Sequence, residues 1–101
     1  MVIQRSELKV KDILEEKGYT VIHQGAPDFL CFKRNEKTNL MEEILFVEVK
    51  SDERKWLRQE QIIWQEALMM IDENKYMCTT PDMIEESFLL KKKRLDMINN
   101  R

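Results

Sequence analysis

The sequence predicts an α/β domain: a four-stranded mixed sheet flanked by helices, with a further helix at the C-terminal end. Three observations carry that expectation. Apolar runs of strand length follow one another at residues 19–23, 28–33 and 44–50, separated by short turns. Residues 4–17 and 54–72 repeat their apolar positions at spacings of three and four, the period of a helix with one face on a core. A last strand-like run, 75–79, follows the second helix, and a strand, helix, strand order of this length suits a right-handed parallel crossover.

Length and composition bound the rest. At 101 residues the chain is read as one domain, 1–101, with one core. No apolar run approaches the roughly 18 residues that span a membrane, and the N-terminus lacks a signal-peptide pattern. A cytoplasmic protein with no membrane partner is therefore expected. The net charge of −2 gives no global footprint of nucleic-acid binding, so any such surface has to be local. Cys31 and Cys78 sit alone in apolar runs, without the paired spacing of a zinc site, and are read as reduced, buried thiols.

In the first helix Ile3, Glu7, Val10 and Leu14 share one face, and Gly18 is its stop. Glu7 interrupts an apolar stripe. Either it is solvated at the stripe's N-terminal edge, where it suits the helix dipole, or it faces the sheet and joins an acidic cluster. The first strand ends at His23, the only histidine, read as structural, with contact to a phosphate as the alternative. Gly25 permits a turn and Pro27 fixes the backbone, which together aim Asp28 at the start of the second strand. Residues 34–39 form a polar hairpin loop, and Glu42 and Glu43 precede the third strand in solvent. Strand period puts Glu48 and Lys50 on one face with Ile44 and Phe46, and Leu45, Val47 and Val49 on the other.

The second helix takes its N-cap from residues 51–53. Leu57, Gln61, Trp64, Leu68 and Ile71 form its inward stripe, again with a single polar intruder, and a buried Gln61 amide must find partners. Trp56 and Trp64 are read as packing, with stacking of Trp56 on a base as the alternative. Residues 73 and 74 break this helix. Thr80 is expected to cap the last helix, with Pro81 at its first position. That helix carries Ile84, Phe88, Leu95 and Ile98. Its run Lys91, Lys92, Lys93 and Arg94 wraps most of the way round, either as a solvated face or as a contact to a DNA backbone.

A buried strand bearing a carboxylate and an ammonium side by side is costly unless both find partners. Asp28 can supply a second carboxylate beside Glu48, and two converging carboxylates make a site for a hard divalent cation such as magnesium. Lys50 beside it can orient or help deprotonate a water, or stabilise negative charge in a transition state.

Asp28 with Glu48-Val49-Lys50 resembles the signature of the PD-(D/E)XK nuclease superfamily. Gly25-Ala26-Pro27-Asp28, with Gln61 and Trp64 on the later helix, is most similar to its VRR-NUC and Holliday-junction-resolvase-like branches. The pattern from Glu7 to Gly18-Tyr19 resembles the first helix of resolvase-like members, whose glutamate belongs to the metal site. The restriction-endonuclease-like αβββαβ core of that superfamily covers nearly the whole chain, the final helix least. The resemblance implies a magnesium-dependent endonuclease acting on DNA, with manganese substituting. Asp28, Glu48 and the Val49 carbonyl would ligate the metal, one or two ions, Lys50 would act on the water or transition state, and Gln61 and Glu7 would support. Branched or junction DNA is the expected substrate. The alternatives are a restriction- or replication-associated nuclease, a binding module that no longer cuts, or a substrate other than DNA.

Candidate phosphate contacts are Lys33, Arg34 and Lys37 on the hairpin, Arg54, Lys55 and Arg58 at the second helix start, and Lys91 to Arg94. A symmetric branched substrate is best matched by a homodimer. Among seven methionines, Met69, Met70, Met77, Met83 and Met97 exceed what the inward stripes need. They either fill gaps in a small core or form a contact surface, for which the terminal helix with Phe88, Leu90 and Met97 is the expected place.

Overall fold

The computed structural model describes residues 4–25, 27–51 and 57–99, without the side chains of Glu73, Ile98 and Asn99. Helix α1 (Arg5–Glu16) ends at Gly18, whose φ of 94° suits a residue without a Cβ. The Gly18 and Tyr19 amides close the helix end on the carbonyls of Glu15 and Leu14 at 3.0 and 3.2 Å. Strands β1 (Thr20–His23), β2 (Phe29–Arg34) and β3 (Met41–Val49) form an antiparallel meander. Helix α2 (Gln59–Asp72) and one 3-10 turn (Glu73–Lys75) then cross to β4 (Tyr76–Thr79), parallel to β3, and α3 (Ile84–Asn99) follows. The sheet order is β1-β2-β3-β4, four strands and mixed, as the apolar runs predict.

Strand alternation then sorts the side chains. Phe29, Cys31, Leu45, Val47, Val49 and Met77 are buried together with Val10 and Leu14 of α1 and Ile84 of α3. This is the core, and it uses one face of the sheet. The intervening residues of β3, among them Phe46 and Glu48, face the other way, and α2 reaches that face through Gln61. Cys31 and Cys78 are free thiols. Among the described residues no helix is long and apolar enough to cross a membrane.

Four boundaries and packing assignments differ from the sequence expectation. β3 begins at Met41, because pairing with β2 continues past a bulge between Lys33 and Arg34, so Glu42 and Glu43 lie in the strand with exposed side chains. It ends at Val49, although the Lys50 amide still donates to the Thr79 carbonyl at 2.9 Å. α3 begins at Ile84 rather than Pro81. Both acceptors of Thr80, carbonyl and hydroxyl, take the Met83 amide, a closure over three residues that makes a turn rather than an α-helix. The expected cap at Asp52 and Glu53, and the stacking of Trp56, lie outside the described residues, while Leu57 and Arg58 precede the helix.

The fourth difference is the inward stripe of α2. Gln61 and Leu68 face the sheet, but Trp64 is 43% and Ile71 80% exposed. A spacing of three lags the helical repeat by about 60°, so Trp64 and Ile71 fall on the trailing flank of a face centred on Gln61 and Leu68. Gln65 takes the inward place instead. Phe88, expected on a contact surface, packs against the core, stacked on Tyr19 at 6.3 Å with Lys17 over its ring at 4.8 Å. Met77 is core as well, whereas Leu90, Met97, Met69 and Met70 are exposed, Met70 at 83%.

Candidate metal centre

The Gly25–Asp28 turn and the β2–β3 register build the site. Gly25 has a φ of 114°, and the Gln24 amide closes the turn on the Asp28 carbonyl at 2.9 Å. Extending the Phe29–Val47 pairing by one residue sets Asp28 opposite Glu48, which in turn pairs with Cys78 of β4. The two carboxylates then bind reciprocally to the facing backbone. Asp28 Oδ2 accepts from the Val49 amide at 2.8 Å, and Glu48 Oε2 accepts from the Asp28 amide at 3.2 Å. Only 7% of Asp28 and 1% of Glu48 is exposed. Gln61 completes the arrangement: its Oε1 accepts from the Arg58 amide at 2.7 Å while its Nε2 donates to Glu48 Oε1. The amide that interrupts the α2 stripe is thus satisfied at both ends, and its two partners fix its orientation.

From the other side of the sheet α1 contributes Glu7. Its Oε2 lies 3.2 Å from His23 Nε2, and its side chain is 12% exposed. The same oxygen accepts from the Gln4 amide at 3.3 Å at the start of the helix. One ligand atom each from Glu7, His23 and Asp28 lie within 4.8 Å of one another, a spacing that could hold a metal ion. Glu7 therefore faces the site rather than solvent, and His23 stands beside two carboxylates. No sequence spacing pairs His23 with a partner, since its contact with Glu7 joins two separate elements.

The electrostatics of this cluster run against ionisation. Burial pushes the Asp28 carboxyl above the ordinary range; the Val49 amide opposes the shift and the neighbouring Glu7 adds to it. Burial likewise raises Glu48, and the charge of Asp28 raises it further. Two acids that resist charging, side by side on rigid strands, present hard oxygen donors that a divalent cation would neutralise. Lys50 follows at the end of β3, half-buried, and its charge acts on the Cys78 thiol, the cross-strand neighbour of Glu48. Asp28, Glu48, Glu7 and Gln61 are thus brought together, with Val49 and Lys50 adjoining.

The basic residues divide. Lys33 and Arg34 lie at the far end of β2, about 20 Å along the strand from Asp28. There Lys33 sits over the Tyr19 ring at 4.6 Å and Arg34 over Phe32 at 5.2 Å, the latter also donating to the Asn39 carbonyl at 3.0 Å. Lys37 is exposed in the hairpin loop beyond them. Arg58 is exposed at the site end of α2, and Arg54 and Lys55 lie outside the described residues. In α3 Lys92, Lys93 and Arg94 are exposed and Lys91 is half-buried, and Lys91 and Arg94 line a cavity against α2 and β4.

No family model matches the sequence, and no curated protein does. A solved structure described as a VRR_NUC domain superposes with a TM-score of 0.61 over 78% of this chain and 85% of that one, at 24% identity. The chain has a VRR-NUC fold. That fold agrees with the αβββαβ order expected from the sequence.

Gln61 meets the carboxylate pair through Glu48. Gln61→Leu should leave unfolding free energy within about 1 kcal/mol, because the two lost hydrogen bonds, one of them from the exposed Arg58 amide, are offset by an apolar surface against the sheet. Were the centre to cleave with a bound metal, as proposed below, that cleavage should nevertheless fall roughly tenfold to a hundredfold, the usual effect of removing a partner that orients a ligand. Urea unfolding and initial cleavage rates on the same preparation check both halves. An unchanged rate would place Gln61 outside the working site.

Proposed function

We propose that the domain is a metal-dependent endonuclease that hydrolyses DNA phosphodiester bonds at the Asp28–Glu48–Lys50 end of β3. The observation that carries this reading is the reciprocal anchoring of Asp28 and Glu48. Two carboxylates are held immobile and buried side by side, an arrangement that disfavours the empty site and suits a cation. The donor set fits magnesium, with manganese as substitute: oxygen from Asp28, Glu48 and the Val49 carbonyl would hold it, and Glu7 adjoins for a second ion. When bound, such an ion polarises the phosphoryl oxygens and lowers the pKa of a coordinated water.

The chain's own residues do the rest. Asp28 and Glu48 would hold the ion at a fixed place on β3, and their backbone anchors keep them from turning away. Lys50 orients the attacking water or meets the negative charge that develops on the phosphoryl oxygens. Gln61 keeps Glu48 in its rotamer, and Glu7 supports Asp28. Arg58, and Lys91 with Arg94, would neutralise flanking phosphates. The hairpin cations Lys33, Arg34 and Lys37 would be reached only by a strand that runs the length of the sheet.

The substrate we favour is branched or junction DNA, recognised by shape by a homodimer. The exposed apolar side chains of α2 and α3, among them Ile63, Met70, Leu90 and Met97, support the dimer. Light scattering at micromolar concentration should give twice the chain mass; a monomer with and without DNA would overturn the paired-site reading.

Cleavage of plasmid, single-stranded, flap and four-way-junction DNAs, each with magnesium, manganese or chelator, tests the activity. Cleavage with either metal and none in chelator is expected, with the junction cut fastest. Tight binding of DNA without cleavage under any of these conditions would make the domain a binding module instead.

A further inference from the structure

A cavity of about 250 Å³ opens at the β4 edge of the sheet, between α2 and α3. Helical spacing divides the basic run of α3 there. Lys91 and Arg94, three residues apart, line the cavity, while Lys92 and Lys93 do not. Facing them are Gln65 of α2 and Tyr76 and Cys78 of β4. Tyr76 is 8% exposed, and its hydroxyl has no hydrogen-bond partner among the described residues. A buried donor in that state is uncommon and points to a missing acceptor.

Burial raises the Tyr76 hydroxyl above the ordinary phenol range, so it stays protonated and able to donate. Burial and the charge of Lys75 hold Lys91 below the ordinary lysine value, against the opposing pull of Asp72 and Glu43. An anion in the cavity would relieve the strain on Lys91 and satisfy Tyr76 at once. Ser87 is already engaged, donating to the Met83 carbonyl at 3.0 Å with the Thr79 hydroxyl 2.9 Å away.

We propose that this cavity is a phosphate-binding pocket, in which Arg94 and Lys91 neutralise the oxyanion and the Tyr76 hydroxyl donates to it. Its position suggests whose phosphate it takes. Cys78 pairs with Glu48, Gln65 follows Gln61 by about one turn of α2, and Tyr76 lies about 7 Å along β4 from Cys78. The pocket thus adjoins the metal centre, where it would seat a phosphate flanking the scissile one. That placement rests on the nuclease reading; the pocket itself does not.

The test is done in chelator, so that it is independent of cleavage. A deoxynucleoside 5′-monophosphate and a short single-stranded oligodeoxynucleotide are titrated separately into the wild type, Arg94→Gln, Tyr76→Phe and, as control, Lys93→Gln. Arg94→Gln and Tyr76→Phe should each weaken binding of at least one probe roughly tenfold, the effect of losing a hydrogen bond to a charged group. Lys93→Gln should change it little. Tyr76→Phe should melt no lower than the wild type, since it removes an unsatisfied hydroxyl, which separates a binding role from a structural one. Loss with the oligonucleotide alone assigns a strand phosphate, and loss with both probes a phosphate monoester. Wild-type affinity for both probes in both variants would overturn the pocket. Cleavage that fails while this binding persists would sink the nuclease reading and leave the pocket standing.

Discussion

Asp28→Asn is expected to lower metal-dependent cleavage by at least a thousandfold, while raising the melting temperature of the metal-free protein. The two effects have one origin. Asparagine keeps the shape of the side chain and an oxygen to accept from the Val49 amide, so the reciprocal β2–β3 anchoring survives. It removes a buried charge that stands against both Glu7 and Glu48. In chelator that charge is uncompensated, so its loss stabilises the fold. With metal it is a ligand, and losing several kcal/mol of charge stabilisation in the transition state corresponds to about three decades in rate. Plasmid nicking rates and thermal melts on one preparation measure both. Full cleavage by Asp28→Asn would end the assignment of the active site.

In chelator the protein should lose stability as the pH rises from the ordinary carboxylate range, about 4, to neutrality. This is the reverse of the usual behaviour of carboxylates in folded proteins. The sign follows from direction alone. Asp28 and Glu48 both have folded-state values above their unfolded ones, so the folded chain holds their protons more tightly. Their contribution is complete below the unfolded values and disappears as the pH passes through the raised ones. Magnesium should flatten or invert the trend, because it binds the ionised pair and releases their protons. Urea midpoints across this pH range, with chelator and with magnesium, give the comparison. A midpoint in chelator that climbs with pH, and that Asp28→Asn does not alter, would show that the two carboxylates are not the buried pair described here.

Most of the architecture was legible in the sequence because the strands alternate cleanly and the turns carry their own chemistry. Gly18, Gly25 and Pro27 mark the corners, and Leu45, Val47 and Val49 announce the core face. The placement of Asp28 opposite Glu48 was legible too, through polar residues that interrupt apolar patterns, and Gln61 was found the same way. The misplacements arose where tertiary contact overrides a local pattern. Trp64 and Ile71 fit a helical stripe but sit on its flank, because hydrogen bonds to Glu48 and Arg58 set the rotation of α2. Pro81 looks like a first helical residue, yet the hydroxyl of Thr80 closes a turn ahead of the helix. His23 carries no sequence signal of its own. Its proximity to Glu7 exists only once α1 packs on the meander.

The mixed sheet has a consequence for the order of folding. β1, β2 and β3 pair with their immediate neighbours in the chain, whereas β4 must return across α2 to pair with β3. Short loops close faster than long ones, so the meander is expected to form before the crossover docks. Asp28 and Glu48 both belong to the meander, and Gln61, Cys78 and Tyr76 to the part that arrives later. The two acids thus meet at the early step, before the helix that shields Glu48 is in place. Protonation, or a divalent cation, should then stabilise the partly folded meander as well as the finished domain.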